Sequence, residues 1–320
     1  MTTKGFAQIL PIIVLLIIAS VSVVIFKNKN LLSFSQSTLL STPNQGTAPT
    51  PSFSPSPTPT SSPTIPPTSK PTPVKTITPS PPTVSGPPGA GYSRITVHTE
   101  KGDFVASVLS VDLNTARMIT DTANELDCGT GCPVTSLANF VNKNSGFAGV
   151  NGSYFCPETY PDCASKTNSF DFPVYNSRLG KWINQGNIFW NGRSMVYVDG
   201  EGVHYNQSAN SFSGGLTAGI INFPGLLDGG NVQIDDNQSG LSDKQRAVGT
   251  KVGIGVRGSK NIMVVVASSV NMQQFAYVFK ALGADGALNL DTGGSTAMYY
   301  NGRYTAGPGR NIPNAIIFAR

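Results

Sequence analysis

The segment that decides the fold is Ala287–Ala297, which reads ALNLDTGGSTA. Its apolar run ends in Asp291, and a glycine pair and hydroxyl residues follow. Apolar and β-branched residues favour strands, whereas glycine marks a sharp turn or a close approach of the backbone. We therefore expect a strand over 287–290 with Asp291 at its end, and a second strand that opens at Ser295. A carboxylate beside exposed backbone amides is suited to a binding site, although an ordinary structural turn has the same composition.

Alternating apolar and polar residues predict that the rest of the C-terminal region is rich in strands. Residues 94–99 and 104–113 predict a hairpin, and residues 133–142 and 271–282 predict two amphipathic helices. Many strands with a few helices favour a single mixed α+β domain. Further strands are predicted at residues 116–120, 147–150, 188–190, 194–198, 203–205, 217–221, 247–256, 261–267, 297–300 and 315–318.

Composition divides the chain into three parts. Phe6–Phe26 is uncharged, and about 20 apolar residues are enough for a helix to cross a bilayer. We therefore predict a signal-anchor, or transmembrane helix, over 1–30, with a cleaved secretory signal as the alternative. Residues 31–91 are rich in Pro, Thr and Ser and predict a disordered stalk. Residues 92–320 form the predicted domain, which we expect to lie outside the cytoplasm of a single-pass cell-membrane protein.

The charge of the chain is unevenly distributed. The formal net charge is +5, from 22 basic and 17 acidic residues, and the first 91 residues contain no acid. The C-terminal domain is therefore formally neutral. Nucleic-acid binding needs a basic patch on a folded surface, and the sequence offers none.

The four cysteines occur as two close pairs. Cys128 and Cys132 are four residues apart, and Cys156 and Cys163 are seven apart. Outside the cytoplasm such pairs favour two disulfides, of which local pairing is one of three possible connectivities. A zinc site is the alternative, but these spacings are unusual for zinc and no histidine is near in sequence.

Four short motifs resemble those of the phosphodiester glycosidase family, and they occur in that family's order along residues 94–320. Asn289–Thr296 (NLDTGGST) resembles its Leu-Asp-Gly-Gly-Gly-Ser signature, and Gly149–Phe155 (GVNGSYF) its Asn-Gly-Gly-Phe-Phe motif. Arg246–Gly249 (RAVG) resembles its Arg-Thr-Ala-Ile-Gly motif, and Arg310–Ala315 (RNIPNA) its terminal Arg-x-x-x-Asn-Ala motif. The resemblance implies a hydrolase that cleaves sugar phosphodiesters.

This chain departs from the family motifs at two positions. Thr292 stands where the first glycine of the triplet is usual, and Ser153 replaces a glycine of the asparagine motif. Both changes add atoms near the expected pocket. They bear on the width of the pocket and on its substrate rather than on the fold.

The chemistry of the family's reaction suggests catalytic roles for four residues. Glycosyl transfer passes through an oxocarbenium-like state. Asp291 is expected either to stabilise this cationic state or to activate the water that attacks the anomeric carbon. Phosphate is a good leaving group, so cations that hold it are expected to matter, and Arg246 and Arg310 match it as planar forks. The Asn151 amide is expected to hold a sugar hydroxyl or the water. The structural alternatives are salt bridges for the arginines and an Asn-Gly turn for Asn151.

Other polar and aromatic residues are candidates for substrate binding. We expect Gly293, Gly294, Ser295 and Asp171 to contact the substrate. A second carboxylate, if the reaction needs one, would come from Glu158, Asp171 or Asp285. The aromatic residues of 170–175, with Trp182 and Trp190, are expected either to stack on sugars or simply to pack in the core.

No cofactor or metal is expected. Gly253–Gly258 matches the letters of a dinucleotide-binding motif, but the predicted element after it is a strand, so we reject NAD binding. His98 and His204 alternate with apolar residues and are interpreted as ordinary strand residues. The acidic loop Asp235–Asn237 could hold Ca²⁺, yet it lacks the spacing of an EF-hand, and a solvated loop is the simpler interpretation.

Two functions are consistent with these features. The first is a membrane-anchored, extracytoplasmic hydrolase that cleaves a sugar-1-phosphodiester in cell-surface glycan metabolism. The second is a non-catalytic carbohydrate- or cell-wall-binding module on a stalk, with the Thr292 and Ser153 departures marking lost catalysis.

Overall fold

The computed structural model describes residues 83–84, 89–187, 192–237 and 240–320. All of them belong to one compact unit, Val74–Arg320. The predicted anchor at 1–30, most of the predicted stalk and the predicted strand at 188–190 lie outside the described residues. None of the helices in the described part of the chain has the length and apolarity that a membrane crossing requires.

The described residues are rich in strands, and most of the predicted strands are confirmed within one or two residues. Three α-helices lie between them: α1 (Leu137–Lys143), α2 (Asp243–Arg246) and α3 (Met272–Ala281). The strands are β1 (Thr83–Val84), β2 (Gly91–Thr99), β3 (Gly102–Asp112), β4 (Arg117–Thr122), β5 (Gly146–Asn151), β6 (Val174–Asn176), β7 (Lys181–Ile183), β8 (Ser194–Val198), β9 (Val203–Asn206), β10 (Ala218–Asn222), β11 (Gly225–Asp228), β12 (Asn231–Val232), β13 (Gly249–Arg257), β14 (Asn261–Val270), β15 (Gly286–Asn289), β16 (Met298–Tyr300), β17 (Arg303–Ala306) and β18 (Asn314–Ala319).

The strands of the described residues form three sheets. The largest has eight strands in the order β1-β2-β3-β14-β13-β15-β11-β12, and two sheets of five have the orders β7-β6-β10-β8-β9 and β17-β16-β5-β18-β4. Neighbouring strands are antiparallel except that β1 runs parallel to β2. This arrangement confirms a strand-rich α+β domain.

The start of the domain differs from the predicted boundary at residue 92. Gly91 already belongs to β2, and Thr83–Val84, inside the predicted stalk, pairs with Thr96–Val97. Backbone hydrogen bonding at a sheet edge depends little on side-chain apolarity, so the composition of the stalk did not reveal this short strand.

Helix α3 covers the largest sheet and explains the glycine-rich motif in β13. A capping box between Asn271 and Gln274 begins α3. A Cβ added at Gly253 would lie within 3.1 Å of the buried Phe275 and Phe279 rings of α3, and one added at Gly255 would lie within 2.9 Å of the Phe279 ring. The glycines therefore admit aromatic rings close to the strand, and the element that follows the motif is the strand β14, as predicted.

The predicted helix at 133–142 begins later than expected. Its first helical residue is Leu137, and the Ser136 side chain caps it by accepting a hydrogen bond from the Asn139 amide. Thr135, just before the cap, exchanges backbone hydrogen bonds of 3.0 and 2.9 Å with Ile312. This long-range bridge keeps the residues near Pro133 extended, which no local pattern could indicate.

Buried asparagines at strand ends join the three sheets near one place. Asn222, at the end of β10, donates from Nδ2 to the Asn289 carbonyl at 2.7 Å, and its Oδ1 accepts from the Tyr154 amide at 3.1 Å. Asn314, at the start of β18, accepts from the Ser153 amide at 2.8 Å. Buried side-chain amides are almost always hydrogen-bonded. Each of these asparagines therefore holds, through its hydrogen bonds, backbone groups at or just beyond the end of a neighbouring strand.

This junction leaves no space for a side chain at Gly152. A Cβ at residue 152 would collide with the Asn314 side chain and lie 2.9 Å from the Asn314 carbonyl. We expect Gly152→Ala to lower the free energy of unfolding by about 1–3 kcal/mol, as overpacking does. Denaturant unfolding with the disulfides intact measures this change.

The matched control is Gly200→Ala, because no atom lies within 4 Å of a Cβ at that exposed position. We expect its effect to stay within about 0.5 kcal/mol. Equal unfolding free energies for the two variants would contradict the crowding inferred at Gly152.

Candidate active site

A cavity of about 330 Å³ lies beside the junction of the sheets. Three segments that are distant in sequence form its polar wall, together with Tyr154, Asp171 and Arg310. These segments are the loop after β15, the loop closed by the second disulfide, and the residues around α2. Their cavity-lining members are Asp291, Thr292 and Ser295; Pro157 and Tyr160; and Ser242, Lys244 and Gln245.

The backbone of Asp291 is held on both sides by the end of β5. Its N–H donates to the Gly152 carbonyl at 2.9 Å, and its carbonyl accepts from Asn151 Nδ2 at 2.7 Å. Asn151 Oδ1 also accepts from the Ala297 amide at 3.0 Å. Asn151 is therefore fully buried beneath the loop, and both ends of its amide are engaged with backbone groups.

The carboxyl group of Asp291 has an unusual electrostatic environment. The residue is 8% exposed, and this burial raises its pKa to about 7, because the charged form loses its hydration. The Ser295 hydroxyl, the Arg310 charge and the Thr292 amide partly offset the rise in pKa, whereas the Asp171 carboxylate adds to it. Asp291 therefore changes charge near neutral pH.

Tyr154 forms a neutral wall next to this carboxyl group. Its hydroxyl oxygen accepts from Asn289 Nδ2 at 2.8 Å and from Gln245 Nε2 at 3.4 Å. Burial, and secondly the charge of Asp291, raise the pKa of Tyr154 to about 12. Sequence reasoning missed this residue, although it occupies the first aromatic position of the asparagine motif.

Two cations lie against a single aromatic ring at the cavity wall. Lys244 Nζ is 4.0 Å and Arg310 Cζ is 5.2 Å from the centroid of the Tyr160 ring. Such cation–π contacts hold a cationic side chain in place without neutralising it. This part of the cavity wall therefore offers two positive groups, of which the sequence analysis identified only Arg310.

The Tyr160 ring is presented by a short loop that the Cys156–Cys163 disulfide closes. A second disulfide joins Cys128 to Cys132, so local pairing is the connectivity that the structure shows. The disulfide prediction is confirmed.

Helix α2 carries Lys244 and is held in place from below. Ser242 and Gln245 form a capping box at the start of this one-turn helix. A serine followed three residues later by a glutamine is a sequence signal for such a start. Lys251, 3% exposed, donates from Nζ to the carbonyl of Ala247 at 2.9 Å and to that of Lys244 at 3.4 Å. Burial lowers the pKa of Lys251.

Arg246, a predicted catalytic residue, does not line the cavity. Its Nε donates to the Asp236 carbonyl at 3.0 Å, and its Nη1 lies 3.3 Å from Asp243 Oδ1. Its guanidinium therefore ties α2 to a neighbouring loop. Lys244, two residues earlier on the same helical turn, supplies the cation at the cavity wall instead.

The glycine turn after Asp291 contacts the cavity only partly. Ser295 lines the cavity, whereas Gly293 and Gly294 do not. Gly293 has a φ of 72°, a backbone conformation that glycine adopts without strain. A Cβ at Gly294 would collide with the Arg310 guanidinium. The backbone amide of Arg310 donates to the Gly294 carbonyl at 3.0 Å. Gly294 thus leaves room for the arginine rather than for substrate.

Of the three candidates for a second carboxylate, only Asp171 lines the cavity. It is half exposed and lies 2.9 Å from Lys166 Nζ. Asp285 accepts from the Gly258 amide at 2.7 Å, beside the turn between β13 and β14. Glu158 is exposed and is absent from the cavity wall.

The aromatic residues of 170–175 divide between the cavity wall and the core. Phe172 lines the cavity, whereas Phe170 is buried in the core. Trp182 packs edge-on against Tyr175 and Phe212, and Trp190 lies outside the described residues.

The histidines and the acidic loop take ordinary roles. His98 is an exposed strand residue beside Asp103, and His204 is a half-buried one beside Asp199, as interpreted from the sequence. Asp236 Oδ1 accepts from the Gln273 amide in the first turn of α3, at 3.1 Å. Within the described ranges no cluster of three His, Cys, Asp or Glu side chains is suited to a metal ion.

Comparison of the fold with solved structures gives a similar protein from zebrafish. The chain resembles the catalytic domain of zebrafish N-acetylglucosamine-1-phosphodiester alpha-N-acetylglucosaminidase, a domain auto-inhibited by its pro-peptide, with a TM-score of 0.56 at 13% identity. The likeness covers 75% of this chain and 86% of the zebrafish domain. At this identity the likeness shows the fold.

A hypothetical protein from Synechocystis is also similar, with a TM-score of 0.48 at 14% identity. The match covers 71% of this chain, which spans 61% of the length of that protein. None of the curated proteins matches this chain.

Comparison with known families covers all four motifs. Residues 146–319, more than half of the chain, match the sequence model of the phosphodiester glycosidase family. The four motifs that carried the resemblance all lie within this range. The chain therefore belongs to the phosphodiester glycosidase family, a family of hydrolases.

Proposed function

We propose that this chain is a membrane-anchored, extracytoplasmic enzyme that cleaves the bond between the anomeric carbon of a sugar and a phosphodiester in cell-surface glycans. The observation that carries the proposal is a buried carboxyl group, Asp291, in one cavity with two cations, Lys244 and Arg310. The anchor at 1–30 and the stalk at 31–91 rest on composition, and the two disulfides fit an oxidising compartment.

The charges of the cavity suggest how a substrate would lie in it. Lys244 and Arg310, gathered at the Tyr160 ring, would hold the phosphate, because an ammonium and a guanidinium both donate charge-assisted hydrogen bonds to its oxygens. The sugar would then lie towards Asp291. Phe172 and Phe223 offer it apolar faces.

The proposed reaction uses Asp291 as a general base. Its pKa of about 7 is suited to accepting a proton from water at neutral pH. The water oxygen attacks the anomeric carbon, and its proton passes to the Asp291 carboxylate. The bond between that carbon and the phosphate oxygen breaks, and its electron pair leaves with the phosphate. The products are a free sugar and a phosphate monoester, which Lys244 and Arg310 stabilise.

Two other predicted catalytic residues fit positioning roles in this proposal. Asn151 fixes the backbone carbonyl of Asp291 and the Ala297 amide, so it would hold the base in the cavity wall. Arg246 holds α2, and with it Lys244. Neither side chain needs to touch the substrate for its loss to lower activity.

The two departures from the family motifs, Ser153 and Thr292, differ in how far they support the alternative function, a non-catalytic binding module. Ser153 is buried and hydrogen-bonds with Asn314, away from the cavity wall. Thr292 lines the cavity and would alter its shape. A module that only binds would retain glycan without releasing sugar.

Loss of the Asp291 carboxylate should lower turnover strongly. The first substrate to test is an N-acetylglucosamine-1-phosphodiester, because the similar zebrafish enzyme is named for it. We expect Asp291→Asn to lower the release of reducing sugar by about 10²–10⁴-fold, the usual contribution of a general base. In H₂¹⁸O the wild-type reaction should place the label in the sugar.

The control is Asp103→Asn, which removes an exposed carboxylate on another surface and should leave turnover unchanged. Label found in the phosphate would contradict attack at the anomeric carbon. Saturable retention of glycan by the wild type without any sugar release would favour the binding module.

Burial of Asp291 should also make the fold less stable as the pH rises from 3.8 to about 7. The pKa of this group is about 7 in the folded protein, whereas an aspartate in the unfolded chain has its ordinary pKa of 3.8. Between these values the unfolded chain ionises and the folded chain does not, so stability falls as pH rises towards 7 and levels off above it. The cost at pH 8 is on the order of 4 kcal/mol at most.

We therefore expect Asp291→Asn to stabilise the protein, and by about 2 kcal/mol more at pH 8 than at pH 5. Denaturant unfolding of wild type and variant at the two pH values measures the difference. A gain that is equal at both pH values would show that Asp291 titrates normally.

A further inference from the structure

The loop that follows Asp291 also borders a second cavity, of about 320 Å³. Gly293 and Thr296 line this second cavity, whereas Asp291, Thr292 and Ser295 line the first. Its floor lies on the largest sheet, where Arg94 of β2 pairs with Ser107 of β3. The second cavity is therefore separate in its lining residues from the candidate active site but shares a loop with it.

The chemistry of the second cavity favours an anion. Arg94 is the only charged residue among the described residues that line it, and no acidic side chain joins it there. The polar remainder consists of hydroxyl groups, from Ser107, Thr250, Ser268, Thr296 and Thr305. A guanidinium with nearby hydroxyl donors is suited to the oxygens of a phosphate.

Arg94 is available for such a ligand. Its residue is exposed, and within the described part of the chain its side chain has no ion pair or hydrogen bond. Ser107 and Thr305 are already engaged, with the Tyr92 hydroxyl at 3.2 Å and the Met298 carbonyl at 3.3 Å. Arg94, Thr250, Ser268 and Thr296 therefore remain as the donors that an anion would use.

Thr296 gives an independent indication of a ligand. The residue is 7% exposed, and its buried hydroxyl oxygen has no hydrogen-bond partner among the described residues. A buried hydroxyl without a partner costs free energy. A valine of the same shape would avoid that cost, so the hydroxyl is explained if a bound group satisfies it.

We propose that the second cavity is a binding site for a phosphate group, with Arg94 as its charged contact and Thr296 as a hydroxyl contact. The phosphate would come either from free inorganic phosphate or from a neighbouring phosphodiester of a polymeric substrate. The polymer source rests on the proposed function, whereas phosphate binding does not. Occupation would reach the active site through Ser295, which precedes Thr296 and hydrogen-bonds with Asp291.

Calorimetric titration of the full-length protein with inorganic phosphate tests the site. The background is Arg310→Ala, which weakens binding in the first cavity. We expect Arg94→Ala to lower the phosphate affinity at least tenfold, whereas Arg117→Ala, at an exposed strand position outside both cavities, should not change it.

Thr296→Val separates binding from folding. Because this variant removes a buried hydroxyl that has no described partner, we expect an equal or higher melting temperature together with weaker phosphate binding. Affinities that neither Arg94→Ala nor Thr296→Val lowers would overturn the proposal. Loss of catalysis in Asp291→Asn has no bearing on this result, so the two proposals fail separately.

The source of the phosphate is resolved by kinetics. If it is a polymer, Arg94→Ala should raise KM for a substrate with two consecutive phosphodiesters and not for one with a single phosphodiester. If it is free phosphate, neither KM should change while the calorimetric affinity still falls. Both outcomes support the site.

Discussion

The candidate active site depends on two hydrogen bonds between the backbone of Asp291 and the end of β5, a strand of another sheet. Its N–H is bonded to the Gly152 carbonyl and its carbonyl to the Asn151 amide. These two bonds join the eight-stranded sheet, through β15, to the five-stranded sheet that contains β5. These bonds hold Asp291 at a buried position, so moving the loop into water would require breaking them.

This constraint links stability to the proposed chemistry. Burial keeps the pKa of Asp291 near neutrality, where a carboxylate is a better base than at its ordinary pKa, and the same burial makes its charge costly. Lys244 and Arg310 line the same cavity and are gathered at the Tyr160 ring, which the disulfide loop presents. A proposed base and two cations are thus fixed by separate elements, none of which forms the site alone.

Local patterns predicted the parts of this arrangement that local physics determines. The apolar run before Asp291 predicted its strand end, and the amphipathic pattern of residues 271–282 predicted α3. Long-range contacts determined the rest. The bridge from Thr135 to Ile312 delayed α1, and contact with Tyr160 selected Lys244 rather than Arg246 as the cavity cation. The asparagines that end β5, β10 and β15 were visible as a pattern, Asn after an apolar run, but their partners were not.

A crystal structure of Asp291→Asn with an intact N-acetylglucosamine-1-phosphodiester tests the central claim most directly. The account predicts that the phosphate lies within hydrogen-bond distance of both Lys244 and Arg310, and that the anomeric carbon faces residue 291 across a single water. A phosphate bound beside residue 291, or a sugar bound outside the cavity that Tyr160 and Phe172 line, would contradict it.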